Sequence, residues 1–167
     1  MIVLKNEILF GYRLGNADCC TDGDDDGFLF VIYNDGTAMY NKYVVHDIVT
    51  RSRRFKVSNK TISEINAVLD RHKKKISAFD TDIDNGSYDG DFNIFTFRNK
   101  KINTLNIEEH NIKETTIRNP KYLKEYYNVM VQENQIMNIF KKICAILWKN
   151  HAIRLKLESL FIPFWLF

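Results

Sequence analysis

Apolar and polar positions along residues 27–45 predict a β-hairpin. Two runs rich in aromatic and β-branched residues are separated by Asn34-Asp35-Gly36. Asp and Gly tolerate the positive φ that a tight turn needs, so this spacing is a strong local hairpin signal. Residues 28–33 are apolar throughout, which indicates a strand covered on both faces. We therefore predict that the first strand of this hairpin is central in a sheet.

Further strands are predicted on both sides of this hairpin. Residues 7–14 alternate, with Ile8, Phe10, Tyr12 and Leu14 on one face of a strand. A second hairpin is predicted from Phe92 onward, with its turn near residues 98–101 and a return through residue 107. Residues 15–26 and 80–91 are acidic and predict loops. Residues 46–56 are polar and basic and also predict a loop.

Two helices are predicted from caps and from apolar stripes. Ser58 is a suitable N-cap for the first helix, in which apolar residues recur at helical spacing from Ile62 to Leu69. Asn119-Pro120 opens the longest helix, with Pro at its first position. The apolar stripe lapses at residues 132–134, which indicates a kink or break. Alternation over residues 153–157 predicts a late strand.

This order of elements predicts one α+β domain over residues 1–167, with an apolar C-terminal tail at 152–167. Two hairpins form a mostly antiparallel sheet, and two main helices lie on one face. Each hairpin-plus-helix unit follows an acidic loop.

Bulk composition narrows the class of protein. The chain of 167 residues is 45% hydrophobic with a net charge of +3, which fits a globular domain and indicates no particular partner. Its abundance of Asn, Lys, Ile and Tyr is typical of AT-rich coding and favours a bacterial origin. The cysteines, Cys19, Cys20 and Cys144, give no disulfide framework. Without a signal peptide or an apolar run of about 20 residues, we expect a soluble cytoplasmic protein with no membrane association.

The segment Asp22-Gly23-Asp24-Asp25-Asp26-Gly27 fits the first half of a calcium loop. Asp22, Asp24 and Asp26 place carboxylates at positions 1, 3 and 5, with Gly at position 6. Position 12 is Tyr33 instead of the bidentate Glu. We expect an acidic solvated turn and no cofactor. Weak calcium binding at these three residues is the alternative.

The second acidic loop completes a candidate partner-binding surface. Acidic loops suit a basic protein target such as a nuclease. The candidate partner-binding residues are Asp25, Asp80, Asp82, Asp84, Asp89 and Asp91.

Basic residues cluster in the segment 51–75, which carries Arg51, Arg53, Arg54 and the run Arg71–Lys75. Such a patch can bind phosphates, so nucleic-acid association is the alternative function. A solvated face that balances the acidic loops explains the same charges.

The sequence contains no catalytic signature. The four histidines, His46, His72, His110 and His151, are scattered, with no metal-ligand spacing. Asp18 and Asp22 flank Cys19 and Cys20 and would raise a thiol pKa. No phosphate-binding glycine loop or nucleophile elbow is present. We therefore expect a non-enzymatic protein, and an uncharacterised enzyme is the last alternative.

Large aromatic residues dominate the end of the tail, where Phe161, Phe164, Trp165 and Phe167 follow one another closely. Each costs roughly 1.5–3 kcal/mol to leave in water. We expect this tail to dock on its own domain. A dimer contact or a partner anchor is the alternative.

Size, element order and charged loops of both signs make the chain similar to small bacterial immunity proteins that neutralise toxins. The resemblance implies a non-enzymatic inhibitor that binds a protein partner through charged loops. It carries no residue roles, because no motif is matched. We accordingly expect a protein-binding, inhibitor-type domain.

Overall fold

Seven strands form one sheet in a computed structural model that describes residues 7–16, 27–44, 48–84, 91–112 and 120–155. The strands are β1 (Ile8–Asn16), β2 (Gly27–Tyr33), β3 (Thr37–Val44), β4 (Ile48–Lys56), β5 (Asp82–Ile83), β6 (Asp91–Phe97) and β7 (Lys100–Leu105). The helices are α1 (Asn59–Arg71), α2 (Lys73–Ala78) and α3 (Pro120–His151).

The strand order is β4-β3-β2-β1-β6-β7-β5, which places β1 at the centre. Neighbouring strands are antiparallel except for the short β5, which runs parallel to β7. The α+β class and the mostly antiparallel sheet are therefore confirmed. The sheet extends beyond the two predicted hairpins, because β1 joins them and β4 and β5 form the edges.

The first hairpin turns at the predicted residues. Gly36 has a φ of 80°, and the Asp35 carboxylate accepts hydrogen bonds from the Thr37 backbone N–H at 2.7 Å and from its hydroxyl at 2.8 Å. These bonds from Thr37, with a smaller contribution from the Lys56 ammonium, lower the pKa of Asp35 to about 2. The turn therefore lies where the sequence predicted it, and its own side chains also hold it by hydrogen bonds.

The second hairpin turns through two residues with positive φ, Arg98 at 47° and Asn99 at 65°. This conformation matches the twist of the flanking strands. Arg98 also reaches α1, where its guanidinium donates to Asp70 Oδ1 at 2.7 Å and to Asn66 Oδ1 at 2.8 Å. The hairpin is thus tied to the helix beside it.

The core lies between one face of the sheet and α3. Phe10, Tyr12 and Leu14 of β1 are all buried, as their alternation predicted. The Phe140 ring of α3 packs against them, with ring centroids 6.2 Å from Phe10 and 4.7 Å from Tyr12. The Tyr12 hydroxyl donates to Asn93 Oδ1 at 2.8 Å, so its buried polar atom is satisfied.

α1 lies beside α3 and adds Ile65 and Leu69 to the same core. Ser58 caps this helix as predicted, since its hydroxyl accepts from the Thr61 backbone N–H at 3.2 Å. The His151 Nε2 of α3 lies 2.8 Å from the Thr61 hydroxyl, which joins the start of α1 to the end of α3.

Residues 48–56 form the edge strand β4, so the predicted loop at 46–56 is wrong for these residues. The strand pairs with β3 from Thr37↔Lys56 to Val44↔Ile48. Every residue from Val49 to Lys56 except Phe55 is exposed. An edge strand needs no apolar alternation, and charged residues on an edge discourage aggregation. The polar composition therefore concealed a strand.

The predicted break near residues 132–134 is also wrong, because α3 continues through them. Gln132 bonds Asp80, Glu133 bonds His110, and Asn134 bonds the backbone of His110. The polar residues that interrupt the apolar stripe, Gln132 to Asn134, thus fix two connecting segments to the helix, and we call them the polar belt of α3.

Residues 152–155 carry no strand, which corrects the first part of the predicted late strand. The remainder of the tail, 156–167, lies outside the described residues. Within the described part of the chain, no helix is long and apolar enough to cross a membrane.

Replacing Phe140 by Ala should lower the free energy of unfolding by about 3–5 kcal/mol, because it leaves a cavity among buried rings. Tyr127→Ala is the matched control on the same helix, since Tyr127 is 47% exposed. Its cost should stay within about 0.5 kcal/mol. Urea unfolding followed by circular dichroism measures both, and equal costs would contradict the packing of α3 on β1.

Candidate functional site

The two acidic segments are attached to the same end of three neighbouring strands. β1 ends at Asn16, which pairs with Asp91, the first residue of β6. A Cβ on Gly27, the first residue of β2, would lie only 2.8 Å from the Leu14 carbonyl oxygen. The described residues that flank segments 17–26 and 85–90 are therefore close together. We call this region, with Asp80, Asp82, Asp84 and Asp91, the acidic end.

An arginine is held between two rings near the acidic end. The Arg13 guanidinium lies 5.3 Å from the centroid of Phe92 and 5.4 Å from that of Tyr43. The Phe92 ring lies over Gly15 and leaves no room for a Cβ there. Glycine at position 15 is thus required for this packing, which fixes a positive charge near the end of β1 and the start of β6.

Carboxylates of the second acidic segment are exposed and oriented by amide groups. Asp80 accepts from Gln132 Nε2 at 2.7 Å, and its backbone N–H donates to Gln132 Oε1 at 2.8 Å. Asp82 accepts from Asn103 Nδ2 at 2.5 Å. Ile83 pairs with Thr104, so the chain leaves β5 at Asp84 in the direction of the acidic end. The sheet edge therefore presents these carboxylates in fixed positions.

The remaining predicted site residues are placed only in part. Asp91 opens β6 beside Asn16. Asp22, Asp24, Asp25, Asp26 and Asp89 lie outside the described residues. The topology brings the flanks of both acidic segments together, which sequence reasoning did not predict, because it depends on the pairing of β1 with β6.

The proposed calcium loop shares its second half with the sheet. Residues 27–33 form β2 and pair with both β1 and β3. Tyr33 at position 12 ends this strand, so positions 7–12 do not wrap around a cation as they do in a calcium loop. In the described ranges, no group of three or more His, Cys, Asp or Glu side chains is placed to hold a metal ion.

The basic segment 51–75 does not form one patch. Arg51, Arg53, Arg54 and Lys56 lie on β4, whereas Arg71 and Lys73–Lys75 lie at the other end of α1 and on α2. The 13 residues of α1 separate the two groups by about 20 Å.

A groove forms beside the basic residues of β4. Arg51 and Arg53 line it with Arg154, which follows α3, and aromatic rings from β2, β3 and β4 complete its wall. Its volume is about 310 Å³. Sequence reasoning missed Arg154 and the rings, because they come from distant parts of the chain.

A buried carboxylate–imidazole pair lies beneath the 107–112 connection, and sequence reasoning missed it as well. Glu133 has no exposed side-chain surface, and its Oε2 is bonded to His110 Nε2. The Thr104 hydroxyl donates to the other oxygen, Oε1, at 3.4 Å. The carboxylate thus lies between hydroxyl and imidazole, whereas a hydrolytic triad needs the imidazole in the middle. The arrangement fixes the connection to α3. Its signal in the sequence was the polar lapse at residues 132–134.

Cys144 on α3 is a poor nucleophile. Burial raises the pKa of its thiol to about 12, so the reactive thiolate is absent near neutral pH.

The chain matches no protein-family model, and no curated protein matches it significantly.

Replacing His110 by Ala should destabilise the fold by about 3–5 kcal/mol, because it leaves Glu133 buried without its partner. The double variant His110→Ala, Glu133→Leu should regain part of this loss. Glu108→Ala is the control, since its exposed carboxylate lies 3.7 Å from His110 Nδ1. Guanidinium chloride unfolding measures these three variants and the single variant Glu133→Leu, which completes the cycle. A double variant that loses the full sum of both single costs would rule out the coupling.

Thermal melts in 10 mM calcium and in 10 mM magnesium should coincide at matched ionic strength. The reason is that Tyr33 occupies position 12 and residues 27–33 are committed to the sheet. Binding at a Kd of about 0.1–1 mM would instead stabilise the fold by about 1.4–2.7 kcal/mol. A calcium-specific rise of several degrees, absent from an Asp22→Asn, Asp24→Asn variant, would contradict this expectation.

Proposed function

We propose that this chain is a non-enzymatic binding domain that holds a basic protein partner at its acidic end, as an immunity-type inhibitor does. The observation that carries the proposal is the convergence of the flanks of both acidic segments on neighbouring strands. Asn16 and Asp91 are direct partners in the β1–β6 ladder. The described ends of two stretches that are 54 or more residues apart in sequence thereby lie side by side.

Charge distribution supports this proposal. Segments 17–26 and 80–91 contain five acidic residues each, ten of the 21 in the chain, and neither segment contains Lys or Arg. Nearly half of the negative charge is thus concentrated in a short part of a chain whose net charge is positive. Such a concentration attracts a basic surface and accelerates its association at low ionic strength.

Rigidity of the supporting sheet also favours a binding role. The Asp80 and Asp82 carboxylates are held by Gln132 and Asn103 while they remain exposed. A surface that is ordered before binding loses less conformational entropy when a partner docks.

A tagged chain should capture a basic protein from a bacterial source in a stoichiometric complex. After both proteins are purified, raising salt from about 50 to 300 mM should weaken their affinity, because screening reduces interactions between exposed charges. The variant Asp24→Asn, Asp82→Asn, with one change in each acidic segment, should bind about tenfold more weakly, a loss of about 1.4 kcal/mol. Calorimetry measures the affinity.

The matched control is Glu7→Gln, Glu64→Gln, which removes the same charge far from the acidic end. Glu7 precedes β1 at its opposite end, and Glu64 lies on α1. This control should bind like the unmodified chain. Equal binding by all three proteins would show that the acidic end is not the contact surface.

A further inference from the structure

A basic groove lies between the β4 edge of the sheet and the residues that follow α3. Three arginine side chains come from two distant parts of the chain, and no carboxylate is present in the lining. Its volume, about 310 Å³, is at the lower end of small-ligand sites. The lining residues are Phe30, Tyr40, Arg51, Arg53, Phe55, Ile153, Arg154 and Leu155.

Two of the arginines that line this groove, Arg51 and Arg53, have no charged partner within the described part of the chain. Both side chains are exposed, and no described residue forms a hydrogen bond with either guanidinium. They point to the same side of β4, because they are two residues apart, a spacing of about 6.8 Å. The Arg154 guanidinium lies over the Trp148 ring, 4.1 Å from its centroid. Side chains of three arginines therefore line one small space.

Aromatic rings form the wall between these cations. Tyr40 and Phe55 are half-buried, so part of each ring faces the groove. Neighbouring rings on β2 pack against both: the half-buried Phe28 stacks on Tyr40 at 5.9 Å between centroids, and the buried Phe30 lies 6.3 Å from Phe55. The hydrogen-bonded ladder between β3 and β4 holds the two rings at a constant separation.

We propose that this groove binds single-stranded nucleic acid. Arg51, Arg53 and Arg154 bind successive phosphates, while Tyr40 and Phe55 stack on bases. The combination of a positively charged groove with exposed rings is how sequence-tolerant single-strand binding is achieved. An acidic peptide would satisfy the arginines but leave the rings without a planar partner. The proposal is independent of the protein-binding function proposed for the acidic end.

Fluorescence anisotropy with labelled twelve-nucleotide oligo(dT) and oligo(U) tests this site in the full chain. Three phosphate contacts on a single strand predict a slope of about −2 in log affinity against log salt. Raising salt from about 50 to 200 mM should therefore weaken binding roughly 20-fold. An abasic strand of equal length should bind at least about fivefold more weakly, because it cannot stack.

The variant Arg51→Gln, Arg53→Gln should bind at least about tenfold more weakly and reduce the salt slope by about 1.4, the contribution of two phosphate contacts. Its matched control is Lys73→Gln, Lys74→Gln, which removes the same charge from α2. This control should bind within about twofold of the unmodified chain, since a distant basic group adds little to local contacts. Circular dichroism and thermal melts establish that both variants are folded.

Four outcomes would overturn the proposal. The first is absence of binding at about 50 mM salt, where phosphate contacts are strongest, and the second is an equal loss of affinity in both variants. The third is an abasic strand that binds as tightly as oligo(dT). The fourth is competition by heparin, polyglutamate or duplex DNA that is as effective as competition by the single strand. The last two would indicate a general polyanion surface without base stacking. Salt-dependent binding that the β4 variant alone weakens, with a preference for strands that carry bases, supports it.

Discussion

Pairing of β1 with both β2 and β6 is the interaction on which the rest of the structure depends. It converts two separate hairpins into one sheet, and it aligns Phe10 and Tyr12 with Phe97 and Phe95 on the face that α3 covers. The same ladder places Asn16, at the end of β1, beside Asp91, at the start of β6. Core formation and the proximity of the residues that flank the acidic segments are thus consequences of one strand alignment.

Opposite charges are segregated on this scaffold. Exposed carboxylates lie on and beside β5, at Asp80, Asp82 and Asp84, while the β4 edge is basic. β4 and β5 are the two edges of a seven-stranded sheet, about 29 Å apart at 4.8 Å per strand. At physiological ionic strength this separation exceeds the Debye length of about 8 Å several-fold, so exposed charges on the two edges act almost independently.

Local signals predicted much of this fold, whereas the features that depend on distant residues were missed. Both hairpin turns, the Ser58 cap and the alternation of β1 are encoded within a few residues. β4 was predicted as a loop, because an edge strand can be polar on both faces and then shows no apolar alternation. The α3 lapse was misinterpreted, because the partners of Gln132 and Glu133 lie about 50 and 23 residues earlier, at Asp80 and His110. For the same reason the candidate acidic residues were identified from the sequence, but their common location and the groove with Arg154 were not.

The polar belt of α3 has a consequence for how the molecule opens. Gln132 holds Asp80, whereas Glu133 and Asn134 hold His110. If either connection detached alone, polar groups of α3 would lose their partners, and for the fully buried Glu133 carboxylate that loss is costly. The connections at Asp80 and His110 are therefore coupled to the helix as one cooperative unit, in the sense of native-state exchange. A partner that bound the exposed carboxylates of the 80–84 segment would therefore contact a segment that is hydrogen-bonded to the central helix of the core, through Gln132.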